Sequence, residues 1–122
     1  MSLLGQLAKR LPFGSVAEIS AKELAASFER SPSPQLVDVR TRSEWALSRI
    51  DGAIHTRMGD LERDPLALGL EPGRLVVCIC LSAHRSIPAV RALRERGFVD
   101  ARQLAGGMLA WWAAGLPTTR GE

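Results

Sequence analysis

The densest apolar run in the chain covers residues 75–80 (Leu-Val-Val-Cys-Ile-Cys), after a connection over 56–73 that is rich in Pro and Gly. Apolar side chains on both faces of so short a segment predict a central parallel strand covered by helices on each side. Shorter strand candidates lie at 16–19, 35–38, 53–55 and 101–104. Between them the spacing becomes helical. Ser20 with Glu23 makes a capping box ahead of Leu24 and Phe28, one turn apart, and predicts a helix over 21–30 that the segment 31–34 breaks. Thr41 with Glu44 makes a second box and opens a short helix through about Leu47. One helical turn is expected near 58–63. A longer helix is predicted over 86–96, with Pro88 tolerated in its first turn and Gly97 ending it. A last helix over 107–114 is closed by Gly115 and Pro117.

This alternation predicts an α/β domain with a central, mainly parallel sheet of about five strands, flanked by helices on both faces. Residues 1–14, ended by Pro12 and Gly14, read as an N-terminal extension, and 15–122 as a single domain.

Composition refines this in only a few respects. With 46% apolar and 24% charged residues, the chain matches an ordinary globular protein rather than a disordered one. Its net charge of +3, from 16 basic and 13 acidic residues, is spread out and forms no basic block. That argues against a nucleic-acid partner and still favours a small anionic ligand. No apolar run reaches the roughly 18–20 residues of a membrane span. Leu3, Leu4, Leu7 and Leu11, with Lys9 and Arg10 between them, make a short amphipathic stretch without the features of a signal peptide, so a cytoplasmic location is expected.

In a reducing compartment the two cysteines, Cys78 and Cys80, are not expected to form a disulfide, and they stand too close in sequence to be bridged without distorting the backbone. Without a second Cys or His pair nearby they make no zinc site, and no metal is expected. Cys78, mid-strand between Val77 and Ile79, should be buried and inert. Cys80 ends the strand, and Leu81, Ser82, Ala83, His84 and Arg85 lead directly to a helix starting at Ser86. Ligands of open α/β sheets bind at the carboxyl ends of strands, and curled loop amides and helix N-termini attract anions. A thiol held there beside Arg85 is expected to have a lowered pKa and to be partly thiolate at neutral pH. The plainer alternative, a small core hydrophobe, needs no polar, Arg-bearing loop after it.

Four segments carry a family resemblance. The first is Cys80 with an Arg five positions on, at the start of a helix. The second is Leu36-Val-Asp38-Val-Arg40 followed by Glu44-Trp45, and the third is Ser48-Arg49-Ile-Asp51-Gly52-Ala53-Ile54. The fourth is Gly106-Gly107 with Trp111 or Trp112, and then Gly115-Leu-Pro117. In this order they resemble the rhodanese-like domain family over about residues 16–118. The loop is one residue shorter than the phosphate cradle of protein tyrosine phosphatases, and resembles the six-residue rhodanese loop that fits sulfur substrates. There are departures: Ala83 replaces the common loop Gly, Arg49 the usual His, and Asp51 the usual Pro. At a position requiring positive φ, Ala carries a steric cost.

The resemblance implies a rhodanese fold and a sulfurtransferase of the thiosulfate type. Cys80 is the implied nucleophile, carrying sulfur as a persulfide in two steps, with no cofactor. Leu81, Ser82, Ala83, His84, Arg85 and Ser86 would surround the substrate. The donor would be thiosulfate or a persulfide, and the acceptor a thiol, a cyanide-like nucleophile or a protein thiol. For Arg85, anion placement stands beside a loop brace paired with a carboxylate. For Ser86, a helix cap is the plainer reading. Asp38 and Arg40 are expected to ion-pair and fix the loops, Glu44 to serve its capping box, and His55 to be structural. Trp45, Trp111 and Trp112 are expected to pack against helix faces. The alternative function is a regulatory or binding module that keeps the fold but has little or no activity.

Overall fold

The computed structural model describes residues 15–122; the N-terminal extension lies outside the described residues. Five strands form one sheet: β1 (Glu18–Ile19), β2 (Gln35–Asp38), β3 (Ile54–His55), β4 (Val76–Ile79) and β5 (Ala101–Leu104). Their order is β1-β5-β4-β2-β3, and every pairing is parallel. Five α-helices accompany them among the described residues: α1 (Ala21–Ser27), α2 (Arg42–Leu47), α3 (Met58–Arg63), α4 (Ser86–Glu95) and α5 (Gly107–Ala113).

β4 sits at the centre because every one of its residues is buried. Alternation along it divides the core. Val76, Cys78 and Cys80 join Leu61, Ala89, Val90 and Leu93 on the face covered by α3 and α4. Val77 and Ile79 join Leu24, Leu104, Met108 and Trp111 on the face covered by α1 and α5. Burying a Leu or Val side chain of this kind is worth about 1.5–3 kcal/mol, so both layers hold the central strand in register. No helix among the described residues is long and apolar enough to cross a membrane.

Both capping signals appear where the sequence places them. Ser20 Oγ accepts from the Glu23 amide at 3.1 Å, and the Thr41–Glu44 box is complete. The first helix ends at Ser27 rather than residue 30, because Phe28, Glu29 and Arg30 donate to carbonyls three residues back and tighten out of α geometry. A short 3-10 turn, Pro65–Leu68, lies in the connection that the sequence left irregular. β4 stops at Ile79, and the carbonyl of Cys80 accepts instead from the Met108 amide of α5 at 2.8 Å.

Candidate active site

β2 and β4 are neighbours, but their chains continue towards opposite edges of the sheet, so a crevice opens between their carboxyl ends. Cys80 follows β4 there, and Val39 follows β2, donating its amide to Ile79 O at 3.0 Å. From Cys80 the chain curls through Leu81–Arg85 into α4. Among the described residues, none of the amides from Leu81 to Arg85 donates to a backbone carbonyl. These donors are available to an anion.

The loop is held from below by α5. Met108 N donates to Cys80 O at 2.8 Å and Leu109 N to Leu81 O at 3.1 Å. So close an approach leaves no room for a side chain, and a Cβ on Gly107 would overlap the Cys80 and Leu81 carbonyl oxygens. Gly106 and Gly107 also take positive φ, of +72° and +60°. The Gly-Gly pair is thus the socket for the Cys80 loop. Ala83 has φ +66°, the left-handed conformation that favours glycine, so the loop carries local strain at this position.

The loop is braced from above by Arg85. Its two terminal nitrogens donate to Glu44 Oε1 and Oε2, each at 3.2 Å. Glu44 Oε1 also accepts from the Thr41 amide and hydroxyl, both at 3.0 Å. The capping box therefore orients the carboxylate that Arg85 needs. The Arg85 hydrogen bonds, with those of Thr41, lower the Glu44 pKa to about 2 against the cost of desolvation. The Arg85 pKa is raised in turn, chiefly by the Glu44 bonds. Of the two roles the sequence left open for Arg85, this structure displays the brace.

Asp38 and Arg40 form a buried pair, with Arg40 Nη2 to Asp38 Oδ2 at 2.7 Å. Arg40 also donates to Ser48 O at 2.6 Å, tying β2 to the end of α2. Breaking such a pair by removing one partner costs about 3–5 kcal/mol, so this pair fixes the site's framework. His55 Nε2 lies 2.7 Å from Arg40 O, a structural contact as expected. Trp45 donates to Ala53 O at 2.9 Å, and Arg49, in place of the usual His, lies over its ring at 3.9 Å. Trp111 is buried, whereas Trp112 is partly exposed and donates to Ser48 Oγ at 2.9 Å.

Cys80 itself is only 1% exposed, at the floor of the loop. Cys78 is wholly buried, and burial, aided by the nearby Cys80, pushes its thiol far above the ordinary range. His84 and Ser82 are exposed and bond to each other, Oγ to Nδ1 at 3.1 Å. The helix-cap reading of Ser86 is corrected. Its side chain makes no cap bond, because it turns inward, wholly buried, to lie 3.3 Å from Cys80 Sγ and 2.6 Å from Gln103 Oε1. Gln103 was not singled out from sequence. The available signal was a polar residue in the alternation of β5, between the buried Ala101 and Leu104.

Outside the loop, a cleft of about 500 Å³ is lined by Arg40, Arg42, Arg57 and Arg85, with His55 and Asp60. Arg40 and Arg85 are neutralised by Asp38 and Glu44. Arg42 and Arg57 form no salt bridge among the described residues, and residues 1–14 contain no Asp or Glu to supply one. The cleft is therefore positively charged. No cluster of three or more His, Cys, Asp or Glu residues able to hold a metal occurs among the described residues.

Known proteins are similar to this chain in sequence and fold. The family model of the rhodanese-like domain matches residues 20–114. The chain is 35% identical over 96 residues to the protein YtwF of Bacillus subtilis, covering 79% of this chain and 90% of that one. It is 31% identical over 114 residues to a sulfurtransferase of Allochromatium vinosum, covering 88% and 98%. The Alr3790 protein from Anabaena sp. superposes with a TM-score of 0.75 at 31% identity, over 84% of this chain and 81% of that chain. Other relatives are longer, and the chain spans about half of them or less. With the family model matched over most of its length and one sulfurtransferase covered almost end to end, the chain belongs to the rhodanese-like domain family.

Proposed function

We propose that this chain moves sulfane sulfur from an anionic donor to a nucleophilic acceptor through a persulfide on Cys80. The observation that carries this is the six-residue loop from Cys80 to Arg85, with the amides of Leu81–Arg85 donating to no backbone carbonyl, clamped by Glu44 on one side and Gly107 on the other. In the first step the Cys80 thiolate attacks the outer sulfur of thiosulfate or of a persulfide. A sulfur–sulfur bond forms at Cys80 as the donor's own breaks, and sulfite or a thiolate leaves with the electron pair. In the second, a thiol or cyanide takes the outer sulfur and Cys80 returns as thiolate. The two steps balance without a redox partner or cofactor.

Free loop amides suit both the oxygens of a sulfur oxyanion and the charge on a terminal persulfide sulfur. The depth of Cys80 favours a slim terminal sulfur over a bulkier centre. The basic cleft beside Arg85 suits the anionic remainder of the donor. The sulfur-transfer reading draws on the name of the Allochromatium relative as a sulfurtransferase, and thiosulfate is put forward as donor because a small sulfur oxyanion suits the loop amides and the basic cleft.

A second reading, a binding module with little turnover, is favoured by the strained Ala83 and by the engagement of Arg85 with Glu44. Steady-state kinetics separate the two. With thiosulfate and cyanide, parallel double-reciprocal lines are expected, with activity abolished in Cys80→Ser and retained in Cys78→Ser. Intersecting lines, or activity surviving in Cys80→Ser, would contradict the persulfide route. Absence of turnover with thiosulfate and with low-molecular-weight persulfides would leave the binding module.

A further inference from the structure

Three side chains connect Cys80 to the protein surface. Ser86 Oγ lies 3.3 Å from Cys80 Sγ and donates to Gln103 Oε1 at 2.6 Å. Gln103 Nε2 donates to Glu18 Oε2 at 2.9 Å. Ser86 and Gln103 are buried, at 0% and 4% exposure, whereas Glu18 stands exposed on the edge strand β1. The direction of every bond follows from the outer end. A carboxylate only accepts, so Glu18 takes the NH2 side of the Gln103 amide and leaves the amide oxygen facing Ser86. That oxygen also only accepts, so it takes the single hydroxyl proton of Ser86. Ser86 then presents lone pairs to Cys80, and the thiol proton of Cys80 is the donor.

A thiolate at Cys80 reverses the requirement. Ser86 must turn its proton to the sulfur, which leaves the buried Gln103 oxygen facing the Ser86 oxygen with no donor between them. Flipping the Gln103 amide would repair that contact, but would set its oxygen against the Glu18 carboxylate. The flip becomes favourable only when Glu18 is protonated or replaced by a group able to donate.

We propose that Glu18 and Gln103 are positioning residues that control the ionisation of Cys80 through Ser86, with the charge of Glu18 locking the Gln103 amide in the orientation that holds the S–H form. This rests on Cys80 being the nucleophile. The other ionisable groups about Cys80 are Cys78 on its own strand, Asp38 of β2 with Arg40 just beyond it, His84 in the loop, and Arg85 with its partner Glu44 from α2. None of them hydrogen-bonds to Gln103 or Glu18 among the described residues. The buried face of α4 offers Ser86 as its one polar group, and α5 carries no titratable residue.

The test is the rate of Cys80 alkylation by iodoacetamide against pH, read by peptide mass in wild type, E18Q, Q103M and the double variant. E18Q and Q103M should each lower the midpoint pH by about half a unit, or about threefold in thiolate fraction below the midpoint. The double variant should lie no lower than Q103M alone, since both changes release the same hydroxyl. An unmoved midpoint in E18Q overturns the proposal. So does an E18Q shift that persists undiminished in the Q103M background, which would mark a through-space charge effect. If circular dichroism shows Q103M to be misfolded, Q103N, too short to span Ser86 and Glu18, replaces it. Alkylation needs no sulfur donor, so failure of Cys80 to load sulfur would remove the proposed function while leaving the Glu18–Gln103 link to be judged by its own pH profiles.

Discussion

Gly107 packs directly against the backbone of Cys80, with no space for a Cβ between it and the Cys80 and Leu81 carbonyl oxygens. The Cys80 loop and the closing helix α5 are therefore one structural unit, joined by the Met108 and Leu109 amides. A G107A substitution combines overpacking against backbone with a φ of +60° that Ala adopts at a cost. The expected destabilisation is roughly 3 kcal/mol, or about 10 °C in melting temperature for a domain of this size. Thermal unfolding followed by circular dichroism checks it; a melting temperature within a degree or two of wild type would contradict the close fit.

The clamp between Arg85 and Glu44 should titrate in acid. The folded Glu44 pKa of about 2 lies below its ordinary 4.5, so the stabilisation is fully present above about pH 4.5 and is lost as pH falls towards 2. Because both side chains are partly exposed, it should amount to about 1 kcal/mol or less. Denaturant unfolding of wild type and E44Q should show a stability difference that is constant from neutral pH to about 5. That difference should shrink at lower pH; one that stays unchanged down to pH 2.5 would mean the carboxylate charge contributes nothing.

Ala83 occupies a conformation that glycine takes freely. A83G relieves that strain but adds freedom to the unfolded chain, so a net gain of about 0.5–1 kcal/mol is expected, visible as a rise of a few degrees in melting temperature. If A83G melts below wild type, the loop holds Ala83 without strain.

Arg42 and Arg57 give the cleft its net positive charge. R57E should raise the KM for an anionic donor several-fold and weaken its dependence on salt, because it removes part of the field that attracts the donor. Donor kinetics across ionic strength check this, and an unchanged KM and salt slope would place donor binding elsewhere.

Most of the fold was legible because its signals are local. Residues 75–80 are apolar on both faces, as expected of a central strand, and Ser20–Glu23 and Thr41–Glu44 mark helix starts by hydrogen bonds that span three residues. The family's fold, the burial of Cys78 and the Asp38–Arg40 pair emerged as read. What sequence could not supply depends on contacts between distant segments. Ser86 resembles a helix cap until the strand carrying Gln103 lies beside it, 17 residues further on. Glu44 serves its own capping box whether or not Arg85, 41 residues away, also binds it.

The central claim is that Cys80 carries sulfur, and intact-mass spectrometry tests it most directly. After incubation with thiosulfate or a low-molecular-weight persulfide and removal of the donor, wild-type protein should gain the mass of one sulfur atom. Peptide mapping should place it on Cys80, and cyanide or a thiol should remove it, while Cys80→Ser gains nothing. A wild-type protein that stays unmodified across these donors, or a Cys80→Ser protein that still acquires the sulfur, would contradict the claim.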